Sequence, residues 1–167
     1  MKLRLLVTKN CNRNCPGCCN KEWDLDKLPE AELVHTRYDE IIITGGEPLL
    51  NIEAVMLLCE KIRVLQPGVP IYVYTACIDI EKISKILGVC DGVTLTLHTP
   101  LDGVSFFNSK YNRFKNIFNK SLRLHVFEGI AVPSNAYVSR WDVKDSIRWI
   151  KNCPLPKDEI FCKGLLF

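Results

Sequence analysis

Apolar residues along this chain recur in two alternating rhythms. Short runs rich in branched and aromatic residues read as strands: "KLRLLVT" (Lys2–Thr8), "EIIIT" (Glu40–Thr44), "IYVYT" (Ile71–Thr75), "GVTLTLH" (Gly92–His98) and "LRLHVF" (Leu122–Phe127). The second has no polar alternation, the pattern of a strand covered on both faces. Between the runs the apolar positions fall at helical spacing. Ile52, Val55, Cys59, Ile62 and Leu65 share one face, with Glu53, Glu60 and Arg63 opposite and Pro67-Gly68 as the stop. The spacing predicts a short helix over Ile80–Leu87 and another over Pro29–Arg37, opened by Pro29 in its first turn. Phe107, Tyr111, Phe114 and Phe118 form a further helical stripe. A helix is also expected from Trp141 to Lys151, with Ser139 and Asp142 placed for a capping box, and "EIFCKGLLF" (Glu159–Phe167) adds a last strand.

That succession is a strand–helix unit repeated about six times, which implies parallel strands joined by right-handed crossovers. Six units fall short of the eight in a closed barrel. The fold expected is therefore α/β, an open, partial (β/α)6-type barrel or a doubly wound sheet. In either, ligands gather at the carboxyl ends of the strands. With 167 residues, 47% hydrophobic and 25% charged, the chain reads as one domain, residues 1–167, with enough apolar material for a core. A net charge of +3 is too mild to argue for nucleic acid or an anionic membrane surface. The basic, aromatic "KYNRFKNIFNK" (Lys110–Lys120) reads as a core helix with a solvated face rather than an RNA-stacking platform. The opening "MKLRLLV" is too short an apolar run for a signal peptide or a membrane span, and a cytoplasmic setting is expected.

Nine cysteines change the picture. The number is odd and the chain can bury its own core, so a disulfide framework is not expected; clustered thiols in a reduced compartment more often bind metal. Cys11, Cys15 and Cys18 form C-x3-C-x2-C directly after the first strand, in "CNRNCPGCCN". A cubane iron–sulfur cluster takes one thiolate per iron, so three cysteines leave one iron open. An open coordination position is what separates a catalytic metal site from a closed structural one. A zinc site using Cys19 or His35 as a fourth ligand, and a plain electron-transfer cluster, fit the same residues. "TGGEP" (Thr44–Pro48) ends the second strand, and on its own is an ordinary Gly-Gly turn before a helix.

Together, C-x3-C-x2-C after the first strand and "GGEP" after the second resemble the radical S-adenosylmethionine (SAM) superfamily, whose core is a partial (β/α) barrel. The resemblance implies a [4Fe-4S] cluster on Cys11, Cys15 and Cys18, with SAM chelating the fourth iron. Gly45, Gly46 and Glu47 would then meet the methionine amino group through backbone carbonyls and the carboxylate. It also implies reductive cleavage of SAM to a 5′-deoxyadenosyl radical, and an electron donor of flavodoxin or ferredoxin type. "CPGCCNK", "GGEPL" and "IRVLQPGVPIYVYT" look like segments of the activating enzymes of anaerobic ribonucleotide reductase, which act on a glycyl-radical partner. "TLTLHTP" (Thr94–Pro100) is closer to radical SAM enzymes that act on peptides or small molecules.

By the same resemblance Thr75, at the end of the third strand, and Thr96 and His98, at the end of the fourth, would contact SAM. Glu128, past the fifth strand, is placed for ribose hydroxyls but reads equally as a solvated loop residue. Cys59, Cys77 and Cys90 read as buried or idle thiols. Cys153 and Cys162 are too few for a second cluster, and Cys19 stands where that superfamily usually packs an aromatic or histidine side chain on the cluster.

Overall fold

The structure is a computed structural model, described for residues 1–109, 114, 119–131, 140–164 and 167. Seven parallel strands form one sheet: β1 (Lys2–Thr8), β2 (Glu40–Gly45), β3 (Ile71–Thr75), β4 (Gly92–Leu97), β5 (Ser121–Phe127), β6 (Asp142–Ile147) and β7 (Glu159–Lys163). Their spatial order is β6-β5-β4-β3-β2-β1-β7, so the sheet does not close into a barrel. Among the described residues its helices are α1 (Ile52–Leu65), α2 (Ile80–Leu87) and α3 (Pro100–Asn108). This is the open α/β architecture that the rhythm of strands and helices predicts, with one strand more than the six units counted in the sequence.

The central strands are apolar almost throughout because helices and loops cover both faces. Leu3, Leu5, Ile41, Ile43, Ile71, Val73, Val93, Leu95, Leu122 and Leu124 join Val55, Cys59 and Ile62 of α1 and Ile83 and Ile86 of α2 in one core. Each helix starts on a side-chain cap. Asn51 accepts from the Ala54 N–H, Asp79 from those of Glu81 and Lys82, and Thr99 forms a reciprocal capping box with Asp102. All three helices therefore leave the carboxyl edge of the sheet at fixed points.

Two predicted helices are absent. Residues 142–147, expected to be helical, form edge strand β6. Val143 and Ile147 are four apart, a spacing that suits one helix face, but the unpaired edge of β5 takes the segment as a strand. Arg123, Leu124 and His125 pair with Asp142, Val143 and Lys144, and Phe127 then pairs with Ile147. The extra residue is absorbed at Ser146, which has φ 55°. The other absent helix is Pro29–Arg37. There Gln66 of the α1 cap region donates to the carbonyls of Leu33 and Thr36, and the Tyr38 hydroxyl to that of Glu32. Glu30 forms a bridge with Lys163, which places the stretch along the outer edge of β7. Tertiary hydrogen bonds thus replace the helix's own.

Phe107 is half exposed on α3 and Phe114 is buried; Tyr111 and Phe118 of the same predicted stripe, and Ser139 of the predicted capping box, lie outside the described residues. No helix among the described residues is long and apolar enough to cross a membrane.

β6 and β7 occupy opposite edges of the sheet, yet they are consecutive in sequence. The connection, residues 148–158, therefore crosses from the carboxyl end of β6 at one edge to the amino end of β7 at the other, passing the cavity on the way. It bridges the open side of the partial barrel.

Candidate functional site

A cavity of about 360 Å³ opens at the carboxyl ends of the strands. Cys11, Cys15, Cys18, Gly45, Gly46, Glu47, Thr75, Thr96 and His98 all border it. These nine residues, from the ends of the first four strands and the loops after them, are thus brought to one place by the strand order.

The cysteine loop and the glycine turn are built as one unit. Gly46 and Glu47 donate their N–H groups to the carbonyls of Thr8 and Asn10, at 2.7 and 2.8 Å. A Cβ on Gly45 would stand 2.3 Å from the Thr8 carbonyl oxygen, and one on Gly46 2.0 Å from that of Asn10. No side chain fits there, so the glycine pair is required for backbone-to-backbone packing whatever else it contacts. Asn20, just beyond the cysteines, donates to the Gly45 carbonyl at 2.7 Å and fastens the two motifs a second time.

Glu47 is buried, and its carboxylate is held on several sides. One oxygen accepts from the Thr75 hydroxyl at 2.6 Å and the Leu49 N–H at 3.0 Å; the other accepts from the Ala76 N–H at 2.8 Å. Thr75 in turn accepts from the Cys77 N–H. Glu47 and Thr75 therefore lock the end of β2 to the end of β3. A carboxylate has about four lone-pair sites, so acceptor capacity remains beyond these three bonds.

Arg13, between the first two cysteines, was not singled out from the sequence and carries much of the architecture. Its guanidinium donates to the Ala76 carbonyl at 3.0 Å and to the Asp102 carboxylate at 2.5 Å. Asp102 also accepts from the N–H groups of His98 and Thr99, both at 2.8 Å. Burial by itself pushes this carboxyl up, but Arg13 and the two N–H groups together hold it below the usual carboxylate range.

His98 lies on the cavity wall, stacked on Trp149 with ring centroids 5.2 Å apart and packed against Phe127 at 4.9 Å. Burial, helped by the charge on Arg13, pushes its imidazole down to about 4, so it is neutral at pH 7. Its buried Nδ1 has no hydrogen-bond partner among the described residues. Thr96 and Tyr74 line the same wall, with the Arg4 guanidinium over the Tyr74 ring. Glu128 is outside the cavity lining and pairs with Arg148 at 3.0 Å, a surface ion pair.

A disulfide framework is not expected from the sequence, and one disulfide is nevertheless present: Cys19 is joined to Cys153. The partners are 134 residues apart, so no local pattern signals the pair. The link also removes Cys19 as a thiolate ligand. His35 is exposed, away from the cavity lining, which leaves the zinc alternative without its fourth ligand.

The donors that remain suit a cubane. Among the described residues no three His, Cys, Asp or Glu side chains converge closely enough for one metal ion. A single zinc would draw its sulfurs to within about 4 Å of one another. A cubane instead takes each thiolate on a different iron, and so spreads its three ligands around a loop. Cys11, Cys15 and Cys18 are free thiols on one loop, Cys11 exposed and the other two half-buried.

The family described as a 4Fe-4S single cluster domain matches this chain over residues 2–121, from β1 to the first residue of β5. No curated protein matches it. The chain belongs to that family of 4Fe-4S single cluster domains, a domain found in radical SAM-related proteins.

Proposed function

We propose that this member of the single-cluster family is a radical SAM enzyme, with a [4Fe-4S] cluster on Cys11, Cys15 and Cys18 and SAM at the iron that no cysteine holds. The cluster, when bound and reduced, supplies the electron that cleaves SAM to methionine and a 5′-deoxyadenosyl radical, which abstracts hydrogen. The observation that carries the reading is that three free thiols border the cavity while their neighbour Cys19 is tied to Cys153. Three thiolates leave one coordination position for a ligand.

The chain's own residues hold and orient. Gly45, Gly46 and Glu47 border the cavity, and backbone carbonyl and carboxylate oxygens are acceptors suited to an ammonium group. Glu47 and Thr75 fix that turn to β3, and Arg13 fixes the cysteine loop to Ala76 and Asp102. Neutral His98 borders the cavity without repelling a sulfonium, and Thr96 offers a hydroxyl beside it. Phe127 and Trp149 make one wall apolar, which excludes water from a reactive radical.

A cavity of about 360 Å³ is at the small end for one drug-sized ligand. Once a cluster and SAM are inside, little room remains to enclose a substrate. This favours a hydrogen donor presented from outside, such as a glycyl-radical partner of the anaerobic ribonucleotide reductase type, over a small molecule; a peptide substrate fits the same argument. Electrons would come from a flavodoxin- or ferredoxin-type donor. Electron paramagnetic resonance of the reduced, reconstituted protein tests the open iron: adding SAM should change the cluster spectrum. An unchanged spectrum would favour a non-catalytic electron carrier.

A further inference from the structure

The segment Arg148–Leu155 crosses the open side of the partial barrel and forms part of the cavity wall through Trp149, Ile150, Cys153, Pro154 and Leu155. Among the described residues, no backbone–backbone hydrogen bond ties these eight residues to the rest of the protein. What holds them is side-chain packing, two side-chain hydrogen bonds and one covalent link; at the segment's start the exposed Arg148 pairs with Glu128 at 3.0 Å. Trp149 lies on Gly17, where an added Cβ would meet its ring at 2.5 Å, and stacks on His98. Trp23 donates its indole N–H to the Cys153 carbonyl at 3.3 Å. Cys153 then reaches Cys19, beside the cysteine loop, with Cα atoms 5.4 Å apart. A turn with positive φ at Asn152 (64°) and Cys153 (35°) sets that sulfur in place.

We propose that Cys19 and Cys153 form a thiol–disulfide switch that fastens the Arg148–Leu155 strap over the cavity when oxidised and frees it when reduced. Its regulatory meaning, control of access by a large partner, rests on the cavity being the cluster site proposed above. The two cysteines are asymmetric in the way exchange requires: Cys19 is exposed and Cys153 is buried. A thiolate of a dithiol reductant attacks the Cys19 sulfur, the Cys19–Cys153 bond breaks, and Cys153 leaves as a thiolate that takes a proton. The reductant's second thiolate then displaces Cys19 as a thiol and closes the reductant's own disulfide. Two electrons and two protons have passed to the pair. A low-molecular-weight disulfide reverses the steps.

Removing the link leaves the strap with packing, the Trp23 hydrogen bond and the exposed Arg148–Glu128 pair, and exposed backbone without ladder hydrogen bonds opens readily. The test is limited trypsin digestion of the full chain before and after reduction by a dithiol, with peptide mapping under non-reducing conditions. The oxidised protein should yield a peptide pair joined through Cys19 and Cys153. Cleavage after Arg148 and Lys151, relative to cleavage elsewhere, should rise about tenfold or more on reduction, because the cleavage rate follows the open population. Cys19→Ser and Cys153→Ser should each be cut at the fast rate with or without reductant. Absence of the joined peptide, or equal cleavage in both redox states of the wild-type chain, would overturn the switch. These readouts need neither cluster nor SAM, so the switch and the radical reading fail separately.

Discussion

Arg13 and Asp102 meet at 2.5 Å although 89 residues separate them in sequence, and their ion pair pins the middle of the cysteine loop to the first turn of α3. Both side chains are largely buried, so the pair is not an ordinary surface bridge. Replacing Arg13 leaves Asp102 with the N–H groups of His98 and Thr99 alone. Arg13→Met should cost about 1–3 kcal/mol of stability in urea unfolding at neutral pH. Asp102 has its carboxyl depressed in the folded state, so its stabilisation is present above the unfolded value and is lost as pH falls through the folded one. With Arg13 gone the carboxyl is less depressed, so the variant should lose less stability than the wild type as pH falls below the usual carboxylate range. Identical acid profiles would mean that the pair does not hold the loop.

The glycine turn makes a steric prediction. Gly46→Ala places a methyl 2.0 Å from a backbone oxygen, where no rotamer change relieves it. It should cost about 2–4 kcal/mol and separate β2 from the cysteine loop, with loss of iron on reconstitution. Gly129→Ala is the control, since it has open space and only a positive φ of 84°, and should cost about 1 kcal/mol with iron binding intact. Equal behaviour of the two variants would contradict the packing role.

His98 predicts a pH dependence of opposite origin to a salt bridge. Its imidazole is pushed down to about 4 from 6.5, so the folded state favours the neutral form. Stability from this site is full above about 6.5 and is lost as pH falls toward 4, because the unfolded chain binds the proton first. With allowance for partial exposure the loss is on the order of 1–2 kcal/mol. Burial pushes His125 in the same direction, so the measurement is the difference between wild type and His98→Gln across that window. The variant should show a shallower slope; an unchanged slope would place the effect elsewhere.

The legible parts of this molecule were those whose cause is local. Ile41, Ile42 and Ile43 can only be a buried strand, and the cysteines and glycines sit at strand ends because that is where a parallel sheet turns. What the sequence did not disclose depends on partners far along the chain. Arg13 finds Ala76 and Asp102, Cys19 finds Cys153, and residues 142–147 become a strand only because β5 offers an unpaired edge. Pro29–Arg37 loses its helix to the Gln66 amide for the same reason. The glycines show the reverse case: legible as a ligand turn, they are equally required by packing against Thr8 and Asn10.

The central claim, radical cleavage of SAM at a three-cysteine cluster, is tested most directly by product. The protein is reconstituted anaerobically with iron and sulfide, reduced, given SAM, and assayed for 5′-deoxyadenosine by chromatography with mass detection. 5′-Deoxyadenosine should form with the wild type and with Cys19→Ala, and none should form with Cys15→Ala. No product from a wild-type protein with an intact, reducible cluster, in the presence of its electron donor and candidate glycyl-radical partner, would contradict that claim.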